Sequence, residues 1–108
     1  MAITIHIRYT GTNGKARQFA EEMEKTGTAD AIRAEAGNLR YEYYLPMKDP
    51  DTVLLIDAWV DQAALDAHHA SPMMAAVAAL REKYDLHMTV ERLGSLDDHP
   101  ADDRYIRK

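Results

Sequence analysis

The hydrophobic periodicity of this 108-residue chain changes in a set order: strand-like, helical, strand-like twice, helical, and strand-like again. Few folds accept that order. Ile3, Ile5, Ile7 and Tyr9 alternate with Thr4, His6 and Arg8, which predicts a first strand with one strongly apolar side. Thr10-Gly11-Thr12-Asn13-Gly14 breaks the alternation, and Asn13 is the expected N-cap of a first helix. From Lys15 to Thr26 the apolar residues Ala16, Phe19, Ala20 and Met23 recur at helical spacing, with Arg17, Glu21, Glu22, Glu24 and Lys25 outside. Gly27 is placed to stop this helix. Thr28 is expected to cap a second, short one carrying Ala29, Ile32 and Ala36 up to Gly37.

The tyrosine-rich run from Leu39 to Met47 reads as a second strand, with Leu39, Tyr41, Tyr43 and Leu45 on one face and Arg40, Glu42 and Tyr44 on the other. Pro46 belongs near its end, on an edge or a bulge. Asp49-Pro50-Asp51 is a turn. Thr52 to Val60 forms a third strand, and its near-continuous apolar run (Val53 to Ile56, then Ala58-Trp59-Val60) predicts burial on both faces. Asp61 caps a helix through Ala70, and Ser71 before Pro72 is the expected N-cap of another, with Met73, Val77, Leu80 and Tyr84 as its stripe. Leu86 to Leu93 is the last strand. From Gly94 the sequence turns polar.

These elements predict an α+β domain over residues 1–93, a ferredoxin-like βαββαβ unit with a four-stranded antiparallel sheet, continued by a polar C-terminal arm over 94–108. Helices can cover one face of such a sheet only. Strands that are apolar on both sides then leave a bare surface, which sheet-to-sheet pairing into a two-fold homodimer would resolve.

Composition narrows the function. The chain has no cysteine, which removes disulfides, thiolate nucleophiles and cysteine-ligated zinc or iron–sulfur centres. A net charge of −5 with scattered arginines offers no basic patch for nucleic acid. No apolar run approaches membrane length and the N-terminal strand is no signal h-region, so a cytoplasmic protein without membrane contact is expected. No phosphate-binding loop, dinucleotide fingerprint, nucleophile elbow or zinc motif occurs.

What remains is the aromatic and histidine set. His68 and His69 come three and four residues after Leu65, so both flank an apolar stripe and at least one should face the sheet. Such a histidine serves either to complement the helix dipole or as a general base. Adjacent helical histidines point about a hundred degrees apart and rarely share an ion, which argues against a metal site. Trp59 reads as a core or interface anchor. Of Tyr41, Tyr43 and Tyr44, at least one should line the helix side of the sheet, as packing or as a ligand contact. Met73 and Met74 suit a plain core or a hydrophobic pocket equally.

Two stretches resemble a known family. Ala36-Gly37-Asn38-Leu39-Arg40-Tyr41-Glu42-Tyr43-Tyr44 is similar to the second-strand opening of the antibiotic biosynthesis monooxygenase domain. Ala58-Trp59 with Ala64-Leu65-Asp66-Ala67-His68-His69-Ala70-Ser71-Pro72 resembles that family's tryptophan and its leucine-x-x-His-x-x-Ser-Pro segment. The resemblance covers residues 2 to 93. It implies a dimeric α+β barrel with a ligand cavity between sheet and helices, and an enzyme that needs neither metal nor flavin. His68 matches the family's helix histidine and Trp59 its strand tryptophan. Where many members carry a second histidine after Ser-Pro, Met73 stands here.

The expected function is therefore cofactor-independent oxidation of a quinol or polycyclic phenol by dioxygen, with His68 as base, helped or replaced by His69. Trp59, Tyr43, Arg40, His6 and Met73 are the expected substrate contacts. Two alternatives stay open: an isomerase or lyase on a small phosphorylated carbonyl compound, against which the apolar Met73 and Met74 speak while Arg8 and Arg40 leave it open, and a non-catalytic ligand-binding dimer.

Overall fold

Alternation in Ile3–Thr10 (β1) and Thr52–Trp59 (β3) sends their odd-numbered residues to one side of the sheet, and antiparallel pairing sets Ile7 opposite Leu55 and Tyr9 opposite Val53. The structure is a computed structural model describing residues 2–108. Asn38–Tyr44 (β2) pairs with the far side of β3 and His87–Gly94 (β4) with the far side of β1, giving a four-stranded antiparallel sheet ordered β2-β3-β1-β4. Lys15–Lys25 (α1) and Thr28–Arg33 (α2) connect β1 to β2; Gln62–His69 (α3) and Met73–Lys83 (α4) connect β3 to β4. Phe19 and Met23 of α1, Ile32 of α2, Leu65 of α3 and Val77 of α4 join the odd-numbered strand residues in one core. Phe19 is its centre, with its ring centroid 4.9 Å from that of Tyr9 and edge-on to Tyr43 at 6.2 Å. The expected ferredoxin-like architecture is therefore present.

Several local expectations fail for identifiable reasons. Asn13 does not cap α1. It takes φ 54°, Gly14 occupies the capping position at φ 76°, and the Gly14 N–H donates instead to Asp51 Oδ1, 3.2 Å away across the fold. Gly27 rather than Thr28 precedes α2, and that helix ends at Arg33, leaving Ala36 outside it. Pro72 rather than Ser71 occupies the cap of α4, and the buried Ser71 Oγ has no hydrogen-bond partner among the described residues. β2 ends at Tyr44, and a register shift between Asn38 and Arg40 turns Leu39 out to solvent. By pairing, Met88 and Val90 belong to the helix side, yet the helices do not reach them: Val90 is 57% exposed.

The uncovered face is less apolar than the strand patterns suggest. β3 supplies Leu54, Ile56 and Ala58 there. β1 supplies His6 and Arg8, β2 Glu42 and Tyr44, and β4 Glu91 and Leu93, so the apolar strip of β3 runs between mostly polar flanks. Residues from Ser95 to the C-terminus are exposed throughout and include a short 3-10 helix, Pro100–Tyr105.

One glycine ties the α2–β2 loop to α3. Gly37 sits at φ 83°, its carbonyl accepts from the Val60 N–H at 2.8 Å, and a Cβ on it would lie 2.5 Å from Ala64 Cβ and 2.9 Å from Val60 Cγ2. A side chain here meets both a left-handed backbone and a closed gap. Gly37→Ala is expected to lower stability by about 2 kcal/mol or more in urea denaturation.

Candidate functional site

The Asp61 side chain accepts from the Ala64 N–H at 2.9 Å and so sets where α3 begins. That start points Leu65 and His68, three residues apart, into the core, and leaves His69 in solvent. His68 is 4% exposed. Its Nδ1 lies 3.0 and 3.1 Å from the two carboxylate oxygens of Glu35, and its ring stacks on Trp59 with centroids 4.7 Å apart and planes 25° apart. His68 Nε2 has no hydrogen-bond partner among the described residues, so the ring nitrogen facing away from Glu35 is the one left to accept a proton.

Glu35 reaches this place because it lies on the α2–β2 loop, two residues before Gly37. The closeness that only glycine permits brings the carboxylate against a helix 33 residues away in sequence. Trp59 is fully buried at the end of β3, and its Nε1–H donates to Asp57 Oδ1 at 2.6 Å. The site is thus a line of four side chains: Glu35, His68, Trp59 and Asp57.

Asp57 is 4% exposed and sits on the core side of the sheet, between Ile5 and Tyr41 in the register. Burial pushes its carboxyl up to about 6; a charge on His68 and the Trp59 hydrogen bond work against that rise, and Glu35 adds to it. Farther along the same side, the hydroxyls of Tyr41 and Tyr43 are 3.0 Å apart, and burial raises both phenols above their ordinary value. The Tyr9 hydroxyl accepts from Arg81 Nε and Nη2 at 3.1 and 2.8 Å.

The residues expected at the site are only partly brought together. His68 and Trp59 are in contact, and the His69 ring lies 5.7 Å from that of His68 but is solvent-exposed. Met73, half-buried at the start of α4, packs against the core. Tyr43 is on the helix side but nearer the other end of β3, where it floors an open groove of about 550 Å³ with Ala20 and Leu45. His6 and Arg40 do not belong. Even-numbered positions of β1, β2 and β3 face away from the helices, so His6 lies across the sheet near Glu91 and Arg40 is engaged by Glu42 and Tyr44. Arg8 shares that far face, so neither it nor Arg40 can hold a phosphate beside His68. His68, 4% exposed, is not among the residues lining the groove beside Tyr43 or four other surface pockets.

Glu35 and Asp57 are the site residues that sequence reasoning missed. Asp57 had a signal, an acid interrupting an otherwise apolar strand. Glu35 had none, since its role depends on a loop docking. No group of three or more His, Cys, Asp or Glu side chains among the described residues is arranged to hold a metal ion, and no helix among them is long and apolar enough to cross a membrane.

The sequence pattern of the antibiotic biosynthesis monooxygenase family matches residues 2–80. The chain belongs to this family. No curated protein sequence matches it. Among solved structures, it is similar to SnoaB of Streptomyces nogalater, a cofactor-independent oxygenase, with a TM-score of 0.76 at 16% identity over 92% of this chain and 97% of that one. A Mycobacterium tuberculosis protein matches with a TM-score of 0.75 at 21% identity, covering 91% of this chain and 98% of its own. A Pseudomonas aeruginosa protein matches with a TM-score of 0.73 at 27% identity, covering 89% and 95%. At these identities the neighbours establish the family fold, and membership supports a monooxygenase-type role.

The buried acid makes stability depend on pH. A carboxyl raised from its ordinary 3.8 to about 6 on folding contributes stability that is present at low pH and lost as pH rises through about 6. Asp57→Asn removes that dependence and keeps an oxygen for the indole N–H. Relative to the wild type, the variant is expected to gain roughly 1–1.5 kcal/mol between about pH 5 and about pH 8 in denaturant melts at the two pH values.

Proposed function

We propose that this protein is a cofactor-independent monooxygenase that converts an electron-rich quinol or polycyclic phenol to a quinone, with dioxygen as co-substrate. The observation behind the reading is the state of His68: one nitrogen held by Glu35, the ring stacked on Trp59, and Nε2 unclaimed among the described residues. An imidazole so held, on a residue only 4% exposed, is a general base with a fixed direction.

In this mechanism Nε2 takes the phenolic proton. The phenolate gives electrons to dioxygen, and a carbon–oxygen bond forms at the ring carbon that still carries hydrogen. The imidazolium returns its proton to the peroxide anion. The base then removes the ring C–H proton, that bond's electrons form the second carbonyl, and the O–O bond breaks. Hydroxide leaves and takes the proton as water, so one oxygen atom ends in the quinone and the other in water. Trp59 and the half-buried Met73 supply flat and adaptable apolar contacts for the ring. Substrate entry requires the packing around the 4%-exposed His68 to open.

The filled interior favours one second reading, a non-catalytic binding dimer, and turnover separates the two. With quinols of one to three rings as probes, an oxygen electrode should record uptake by the wild type and a loss of about 10²-fold or more in His68→Ala. His69→Ala should lose less than about tenfold, because its ring sits outside the line of contacts. Uptake by His68→Ala within about twofold of the wild type would remove His68 from the chemistry.

The uncovered sheet face is read, on the same footing, as the seat of a second copy, with Leu54, Ile56 and Ala58 at its centre and His6, Arg8, Glu42 and Glu91 around them. Sedimentation should then give a dimer for the wild type and a monomer for Ile56→Glu.

A further inference from the structure

Proton abstraction by His68 leaves one buried titratable group without a task. Asp57 carries a carboxylate on the core side of a central strand, where an apolar residue of similar size would pack without penalty. Its contacts are specific. One oxygen receives the Trp59 indole N–H at 2.6 Å, and the same indole is the surface on which His68 lies at 4.7 Å and 25°.

We propose that Asp57 is a positioning residue for the His68 base, acting through Trp59: its carboxylate holds the indole plane on which the imidazole rests and stabilises the imidazolium that forms when a proton is taken. Glu35 touches the imidazole directly, and Asp57 stands one aromatic ring away. One carboxylate touches the imidazole and a second stands behind its indole, and both favour the positive charge that proton abstraction creates. A hydrogen bond from an indole to an anion also makes the ring face more negative, which favours a cation stacked on it.

The other groups facing this cluster are accounted for. His69 approaches from α3 with its ring 5.7 Å from His68. Tyr41 of β2 flanks Asp57 as a neutral phenol, Tyr9 lies farther along β1 opposite Val53, and Arg81 of α4 is spent on the Tyr9 hydroxyl. None of them replaces Asp57 as the anion behind the indole. The coupling is mutual: a charge on His68 favours ionised Asp57, and ionised Asp57 favours the charge on His68.

This role rests on the reading of His68 as a base, but it can be tested without substrate, because Trp59 is the chain's single tryptophan. A protonated imidazole stacked on an indole quenches its emission, so Trp59 fluorescence should rise with pH as His68 loses its proton. His68→Ala isolates whatever Asp57 contributes by itself. In Asp57→Asn, which keeps an acceptor for the indole N–H, the His68-dependent transition should move to lower pH by about half a unit to one unit. Asp57→Glu should move it back toward the wild type. A midpoint in Asp57→Asn unchanged within about 0.2 unit overturns the proposal.

A second arm uses quinol-dependent oxygen uptake. Asp57→Asn should lower kcat about tenfold with little change in KM, and move the acid limb of the pH profile down. A purely structural role would lower the rate without moving that limb, and that result also overturns the proposal. If the fluorescence shift appears while the wild type consumes no oxygen with any quinol, Asp57 positions His68 as stated and it is the oxygenase reading that falls.

Discussion

The two-residue period of β1 and β3, together with their register, governs every part of this molecule that bears on chemistry. Because Ile5, Asp57 and Tyr41 share a row under the helices, the adjoining row carries Trp59, and α3 can lay His68 on it. The same pairing puts His6 opposite Ile56 and Arg8 opposite Leu54, facing away. A slip of one residue would exchange the two sets. The acid and the indole would leave the core, and a histidine and an arginine would enter it. The packing of Phe19 against Tyr9 and Tyr43 resists such a slip, since the large aromatic positions fit only one face.

Around that frame, charge is admitted to the interior only where it is answered. The Glu35 side chain is 15% exposed and faces His68. Arg33, behind it, binds Glu24 and Asp30 and donates to the Tyr41 carbonyl. Asp57 is the exception, since its partner is a neutral N–H and burial raises its value accordingly. A buried acid with so weak a partner lowers stability at neutral pH, and a charge requirement at His68 accounts for its presence better than packing does.

The order of elements was legible from periodicity because each change of period coincides with a Gly, Pro or Asp breaker. Asp61 was legible as a cap because its partner lies three residues on. The interactions that escaped have partners far apart in sequence. Asp51, not the local Asn13, meets the start of α1 from 37 residues away. Glu35 meets His68 only through the close approach at Gly37. The β2 bulge removed Leu39 from a face that simple alternation assigned to it. His6 and Arg40 were misplaced because sequence alone does not say which strand face the helices cover, whereas Trp59 and His68 were recoverable as a pair through family resemblance.

Filling the space around a base has a physical consequence beyond stability. An imidazole packed between an indole and a carboxylate cannot turn its ring, so the nitrogen opposite Glu35 keeps one direction whether or not a ligand is present. Direct oxygenation of a phenolate needs an electron-rich anion in a dry place, and no redox group to hand electrons on. Water in that site would solvate the anion and lower its reducing power. A base on a residue only 4% exposed meets that need better than one in an open pocket, because little solvent surrounds it before the substrate arrives. The open groove beside Tyr43 offers no such dryness and no imidazole, which is why its volume of about 550 Å³ does not make it the better candidate.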